Sequence, residues 1–423
     1  MAELHPPGEQ VKPPAPAIKR AGAAALVIVQ AGWILAVMDY TLYFFALPLI
    51  LQDLKISVPG AGFIFFLSLQ GTFVGSLVVP LLADAFGRKP VLMGTVLLYA
   101  ITSGVVAFAP SAAFLTLARF FVTFATGGEQ PVGATYIAEV WDARTRGRAL
   151  GFMQSGLALG TLLASLLLAT VGASFGWRPL FLIGILPAAL VLVMRFWLPE
   201  SRTWADSREE RHRSARASNG EARQRFSLAQ LFAPDLRKLT ILGTILLIAA
   251  NATNGGIFAW APTFLKQERG LDIASVGWYG IVLALGQLVG YNVCGWLADT
   301  LGRRRALALY LSLGILSVVA FGLVTNLPLL AGATFLVGFS LSGMFAGLII
   351  FLSELFPTRA RATGMGWCLG IGLFFFALVP LVIGLLAPTI SFGLLFATIT
   401  PAACVAGLIT LLFVPETKGR ELG

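Results

Sequence analysis

The sequence predicts an all-α membrane protein of twelve transmembrane helices, folded as two pseudo-symmetric six-helix bundles. Three observations carry this prediction. The 423 residues are 57% hydrophobic and 12% charged, with a mean hydropathy of +0.85, whereas a soluble globular chain carries about 25% charged residues. The apolar residues gather into twelve stretches of the length a bilayer requires, roughly 20 residues each. Finally, a set of polar loop motifs occurs twice at one separation.

In chain order, residues 1–22 form a polar, Pro-rich tail. The apolar run after it is too long for a signal-peptide core, so it is expected to persist as the first span, 23–50. The first bundle, 23–198, continues with spans at 60–83, 91–109, 112–138, 149–171 and 177–198. Span 1 holds Asp39 and span 4 holds Arg119 and Glu129, the three charges well inside any apolar stretch. A charge at bilayer depth costs at least a few kcal/mol and usually marks an ion or substrate path. Span 5 carries Gly151, Gly156 and Gly160, which suit close helix packing. Residues 199–238 are rich in charge, as at Arg208, Glu209, Glu210 and Arg211, and cannot span; they are read as a linker with room for a short surface helix around Phe226 to Phe232. The second bundle, 239–415, has spans at 239–265, 276–298, 306–324, 327–353, 363–386 and 390–414, before a tail at 416–423. Its spans hold polar groups but no charge, notably Asn251 and Asn254 in span 7 and Gln287, Tyr291 and Asn292 in span 8.

The formal net charge of +10 is not a nucleic-acid footprint, because its distribution follows the loops. Basic residues such as Lys19, Arg88, Lys89, Arg146, Arg303 and Arg361 fall on alternate loops, whereas the intervening loops hold Lys55, Arg178, Lys266 and Arg269. This bias predicts an integral plasma or inner membrane protein with both termini in the cytoplasm. Cys294, Cys368 and Cys404 each stand alone within a span, and His5 and His212 lie in the tail and the linker, so no metal site is expected. No Walker loop or nucleophile constellation is present, which disfavours ATP-driven transport and enzymatic chemistry.

The loop motifs recur 215 residues apart. Asp84, Gly87 and Arg88 return as Asp299, Gly302 and Arg303, while Glu139 and Arg146 return as Glu354 and Arg361. Pro199-Glu200-Ser201 returns as Pro415-Glu416-Thr417, one residue further on. Parallel repeats imply a pseudo-twofold axis along the membrane normal and a site between the halves near the midplane. The stretch from Gly295 to Arg304, GWLADTLGRR, resembles the signature loop of the major facilitator superfamily; its first copy departs at Pro80, where the family usually has Gly. Gly127-Gly128-Glu129, Gly133-Ala134, Arg146-Gly147 and Gln154-Ser155-Gly156 are similar to the proton symporters for lactate and sialate and to niacin-type members. Gly32-Trp33-Ile34-Leu35 leading to Asp39 resembles the same group, with departures at Ala36 and Gln130, where it commonly has Asp and Trp.

This resemblance implies two bundles rocking about a central cavity and proton-coupled uptake of a small organic anion, most simply a monocarboxylate such as lactate. It implies no cofactor beyond the proton gradient, and a monomer is expected. A carrier of neutral sugars is the alternative, since the Pro-Glu-Ser and Pro-Glu-Thr motifs also resemble sugar porters. A non-transporting membrane receptor is a third reading. Span 5 lacks the Gly-Pro pair of the drug/proton antiporters, which argues against an exporter.

At 1.5 Å per residue, Arg119 lies roughly 13 Å and Asp39 roughly 18 Å from the outer ends of their spans. Their depths match, and an unpaired buried charge is costly, so each is expected to meet the other. Either the pair is permanent and structural, or protonation of Asp39 frees Arg119 to hold a carboxylate with two parallel bonds. Glu129, about 15 Å further along span 4, is either a second proton-coupling site or an acid bonded to a neighbouring helix. Asn251 with Asn254, and Gln287 with Tyr291, share helix faces and either wall the cavity or bond between helices. Tyr40, Tyr43 and Trp367 line the cavity or pack, and Gln154 joins the substrate site through its motif. The resemblance also implies that Asp84, Arg88, Glu139 and Arg146, with Asp299, Arg303, Glu354 and Arg361, gate the cytoplasmic side through charge pairs and helix termini.

Overall fold

A computed structural model describes residues 16–141, 146–198, 200, 231–357 and 360–417. The first bundle begins with α1 (Pro16–Asp53), α2 (Val58–Phe86), α3 (Arg88–Val106) and α4 (Ala112–Val140). Next comes α5, assembled from Arg146–Gln154, Gly156–Leu167, a π turn at Leu168–Gly172 and Ala173–Phe175. Helix α6 is Arg178–Ile183 followed by Pro187–Trp197. The second bundle contains α7 (Arg237–Gln267), α8 (Ile273–Leu301), α9 (Arg303–Leu323), α10 (Leu327–Leu355), α11 (Arg361–Leu386) and α12 (Phe392–Leu411).

Ten of these helices are long and apolar enough to cross a membrane. The other two crossings have particular reasons for falling short. Helix α4 has 29 residues but carries Arg119 and Glu129 within its apolar run. Helix α6 is interrupted before Pro187, which suits the first turn of a new helical segment and not the interior of a continuous one. The helices extend past the apolar stretches, as α1 does, because the pattern marks each bilayer-facing core and not its polar ends. Part of the expected surface helix lies outside the described residues, as do the linker residues 201–230; Phe232, just after them, stacks edge-on against Trp367 at 5.3 Å. Trp367 therefore packs at the linker instead of lining a cavity.

Capping chemistry divides the two faces. On the face opposite the chain's described ends, α2, α4, α8, α10 and α12 start at Ser57, Ser111, Asp272, Asn326 and Ser391. Each side chain accepts from the backbone N–H three residues on, supplying a partner the helix itself lacks. On the terminal face, α3 and α9 follow Gly87 and Gly302, at φ 110° and 99°, which only glycine adopts without strain. Both are capped from a distance. Glu200 accepts from the backbone of Arg88 at 3.0 Å, and Glu416 from that of Arg303 at 2.8 Å.

Packing repeats with the same 215-residue offset. Gly71 and Gly75 of α2 lie against the backbone of Phe120 and Phe124 of α4, and Gly286 and Gly290 of α8 lie against Phe335 and Phe339 of α10. Helices α1 and α5 pair as α7 and α11 do, and α3 and α4 pair as α9 and α10 do. The bundles meet through α2 with α11 and α5 with α8. Towards the far face these meetings are tight and apolar. Phe44 stacks on Phe65 at 5.2 Å, and Phe65 meets Trp260 of the other bundle at 5.4 Å.

A side chain at Gly277 would begin 2.6 Å from Ala169, so Gly277→Leu cannot keep this closure. Overpacking costs about 1–3 kcal/mol, enough to shift a two-state balance roughly tenfold. A cysteine introduced at Phe258, between the bundles, is expected to react faster with an impermeant thiol reagent from the far side in Gly277→Leu. Unchanged labelling would show that this contact does not hold the far face shut.

Candidate functional site

Two polar regions lie inside the molecule, and they are distinct. The first lies inside the N-terminal bundle. Asp39 of α1 pairs with Arg119 of α4 at 3.1 Å between Oδ2 and Nη1, with the side chains 0% and 1% exposed. The Ser103 hydroxyl of α3 donates to the other carboxylate oxygen. The guanidinium sits over the Tyr43 ring at 4.5 Å, and its Nε has no hydrogen-bond partner among the described residues. At the break in α6, a side chain on Gly184 would begin 2.9 Å from Asp39 Oδ1, so glycine is what lets α6 close over the pair.

Glu129 is buried in the same bundle, about three turns along α4. The preceding Gly127 and Gly128 press α4 against Thr72 and Val79 of α2, which turns Glu129 towards α1. There Gly32 leaves it room: a side chain on Gly32 would begin 2.7 Å from Glu129 Oε1. Glu129 Oε2 has no hydrogen-bond partner among the described residues.

The second region is a cavity of about 500 Å³ between the bundles, in the half nearer the terminal face, within the range of ~300–1,000 Å³ typical of small-molecule sites. Tyr40, Asn251, Asn254, Gln287 and Tyr291 line it, as their helix faces suggest. Arg119, Tyr43, Asp39 and Glu129 do not; a layer containing Tyr40 and Tyr43 separates the guanidinium from the space. Gln154 is exposed at the start of α5 and accepts from Gln130 at 3.4 Å, outside the lining. Asn292 also points elsewhere, donating to the Leu288 carbonyl.

Among the remaining lining residues are five aromatic ones that the sequence did not mark as cavity walls: Trp33, Phe73, Phe258, Phe345 and Phe376. Among the described lining residues none is charged. Asn251 and Asn254 donate to backbone carbonyls one turn back, so their amide oxygens are the groups offered to the space. Pro131 adds an acceptor, because it has no N–H to bond the Gly127 carbonyl, and both residues line the cavity.

The gating residues form two matching clusters on the terminal face. Arg88 binds Asp84 at 2.5 Å and Glu139 at 3.1 Å, and Arg303 binds Asp299 at 2.8 Å and Glu354 at 3.0 Å. Each acid thus pairs with the α3 or α9 arginine of its own bundle. The side chains of Arg146 and Arg361, and the surroundings of Gly151, lie outside the described residues.

The Major Facilitator Superfamily family model matches residues 31–286 and 240–422. The chain is 33% identical over 396 residues to a probable 4-methylmuconolactone transporter of Cupriavidus pinatubonensis, covering 92% of this chain and 89% of that protein. It is 27% identical over 416 residues to the niacin transporter NiaP of Acinetobacter baylyi, covering 94% of both. In fold it resembles the inward open conformation of the xylose transporter XylE from E. coli, with a TM-score of 0.72, 19% identity, and coverage of 96% of this chain and 98% of that one.

Proposed function

The chain belongs to the Major Facilitator Superfamily, and on that premise we propose that it imports a small organic anion together with protons, by alternating access to the central cavity. The observation that carries this reading is the sealed Asp39–Arg119 pair. The repeat supplies an internal control: at the 215-residue offset the same positions hold Asn254 and Thr334, and Glu129 corresponds to Met344. The second bundle builds the same packing without these charges, so the fold does not require them.

In this reading the terminal face is the cytoplasmic one, as the basic loops argue. The far face is closed, and the cavity is uncharged because Arg119 is held by Asp39. An anion entering from the cytoplasm meets no cation, so this state releases substrate. Protonation of Asp39 in the outward-open state removes the competing carboxylate. Arg119, with an unused Nε donor, then attracts the anion towards Tyr40. Substrate and proton leave together after the bundles rock.

The aromatic walls favour a flat, unsaturated or ring-bearing carboxylate over one as small as lactate. The substrates named for the muconolactone and niacin relatives support that class. Stacking on an aromatic wall is worth about 0.5–1.5 kcal/mol, so Trp33→Ala is expected to weaken binding of a ring carboxylate by up to roughly tenfold. The uncharged lining favours one second reading, a carrier of neutral metabolites. Counterflow in proteoliposomes, with nicotinate, lactate and xylose as competitors, separates the two: inhibition by nicotinate is expected, and inhibition by xylose alone would replace the anion reading with the neutral one.

A further inference from the structure

We propose that protons travel between Asp39 and the cytoplasm along a route buried inside the N-terminal bundle, through Tyr99 and Glu129, and not through the substrate cavity. This rests on the proton-coupled reading above and assigns the path that reading leaves open.

The geometry that points to it converges on Gly32. The Tyr99 hydroxyl of α3 donates to the Gly32 carbonyl at 3.5 Å, and the Glu129 carboxyl occupies the space beside the same residue, where a Cβ would lie 2.7 Å from Oε1. One helical turn further along α3, Ser103 bonds Asp39, and residues four apart share a helix face. Tyr99 is within electrostatic reach of both carboxyl groups. Tyr99, Ser103 and Asp39 are 0% exposed and Glu129 is 3% exposed, and none of them lines the cavity. The groups facing Glu129 are Tyr99 of α3 and Gly32 of α1, with Asp39 and Arg119 farther along; α6 adds Leu190 beside Gly32. At the 215-residue offset Tyr99 and Ser103 become Gly314 and Val318, so the second bundle keeps no copy of this polar line.

The step is balanced. For release, protonated Asp39 and ionised Glu129 become ionised Asp39 and protonated Glu129. The Ser103 and Tyr99 hydroxyls each accept one proton as they give up their own and end neutral, as a hydroxyl can because it both donates and accepts. Glu129 then loses its proton towards the cytoplasmic half. A separate route lets the proton move while substrate occupies the cavity.

The test uses Tyr99→Phe, which removes one oxygen and keeps the ring, in proteoliposomes containing a pH dye and a labelled ring carboxylate. Losing a positioned proton-transfer group typically costs ~10²–10⁴-fold, and partial replacement by water brings the expected loss of substrate-coupled proton flux to about tenfold, with counterflow at equal pH within about twofold of wild type. The pH profile of gradient-driven uptake should flatten likewise in Glu129→Gln. Wild-type proton flux in both variants overturns the route while leaving coupling at Asp39 intact. Equal loss of flux and counterflow in Tyr99→Phe also overturns it, by making Tyr99 merely structural. Wild-type substrate movement with no proton movement overturns the coupled reading itself and the route with it.

Discussion

Arg119→Ala abolishes uptake of a carboxylate substrate, with a loss of at least about 100-fold, equivalent to ~2.7 kcal/mol. The loss has two sources. The guanidinium is the buried cation among the described residues of the N-terminal bundle, so its removal takes away the charge proposed to recognise an anion. It also strands Asp39, which is wholly buried and would keep only Ser103 as a partner. Breaking a buried pair from one side typically costs ~3–5 kcal/mol, so the amount of folded protein in the membrane must be measured alongside transport. Arg119→Lys restores little. An ammonium is a point charge that cannot meet Asp39, lie flat over Tyr43 and keep further donors for a carboxylate as the planar guanidinium does. Carboxylate uptake at the wild-type rate by folded Arg119→Ala would remove Arg119 from the mechanism.

Asp39→Asn loses accumulation driven by a pH gradient and keeps substrate counterflow. The amide preserves shape and can still meet Ser103 and Arg119, but it does not titrate. Counterflow needs only the loaded carrier to reorient, whereas net accumulation needs the empty carrier to return after shedding its proton. In the wild type, accumulation is expected to rise as the outside is acidified relative to the inside. In Asp39→Asn that dependence should be flat, with uptake tracking the substrate gradient alone. Asp39 ranks ahead of Glu129 as the coupling site because it contacts Arg119 directly, so its protonation acts on anion binding without an intermediary. An intact pH response in Asp39→Asn would move that role to another group.

The sequence made the architecture legible to different depths in different elements. A bilayer forces each crossing to present roughly 20 apolar residues, so most spans could be read directly. Helices α4 and α6 were read as spans as well, although one carries the buried charges and the other is interrupted after Ile183, where Gly184 covers Asp39. The Asp39–Arg119 contact followed from matched depths along two helices. The partner of Glu139 did not: the motifs placed Glu139 in one network with Arg88 and Arg146 without pairing them, and the helix start at Gly87 brings Arg88 to the acid. Tyr40 and Tyr43 show the limit of reading one helix alone, since three residues apart they divide between the cavity and the cover over Arg119. The phenylalanine walls gave no signal, and Trp33 stood out only as part of a motif, because an aromatic residue in a span looks the same whether it faces substrate or a neighbour. The contacts of Gly71 and Gly75 with Phe120 and Phe124 recur at the motif offset, yet they were hidden among 46 glycines.

The proposed carrier couples the movement of an organic anion through the cavity between its bundles to the entry of protons. This coupling is tested most directly by measuring labelled nicotinate uptake and internal pH together in proteoliposomes of the wild-type protein, under an imposed inward proton gradient. Accumulation above the external concentration is expected, matched by proton entry that requires substrate. Equal nicotinate levels on the two sides, with a proton gradient that decays no faster when substrate is added, would contradict it.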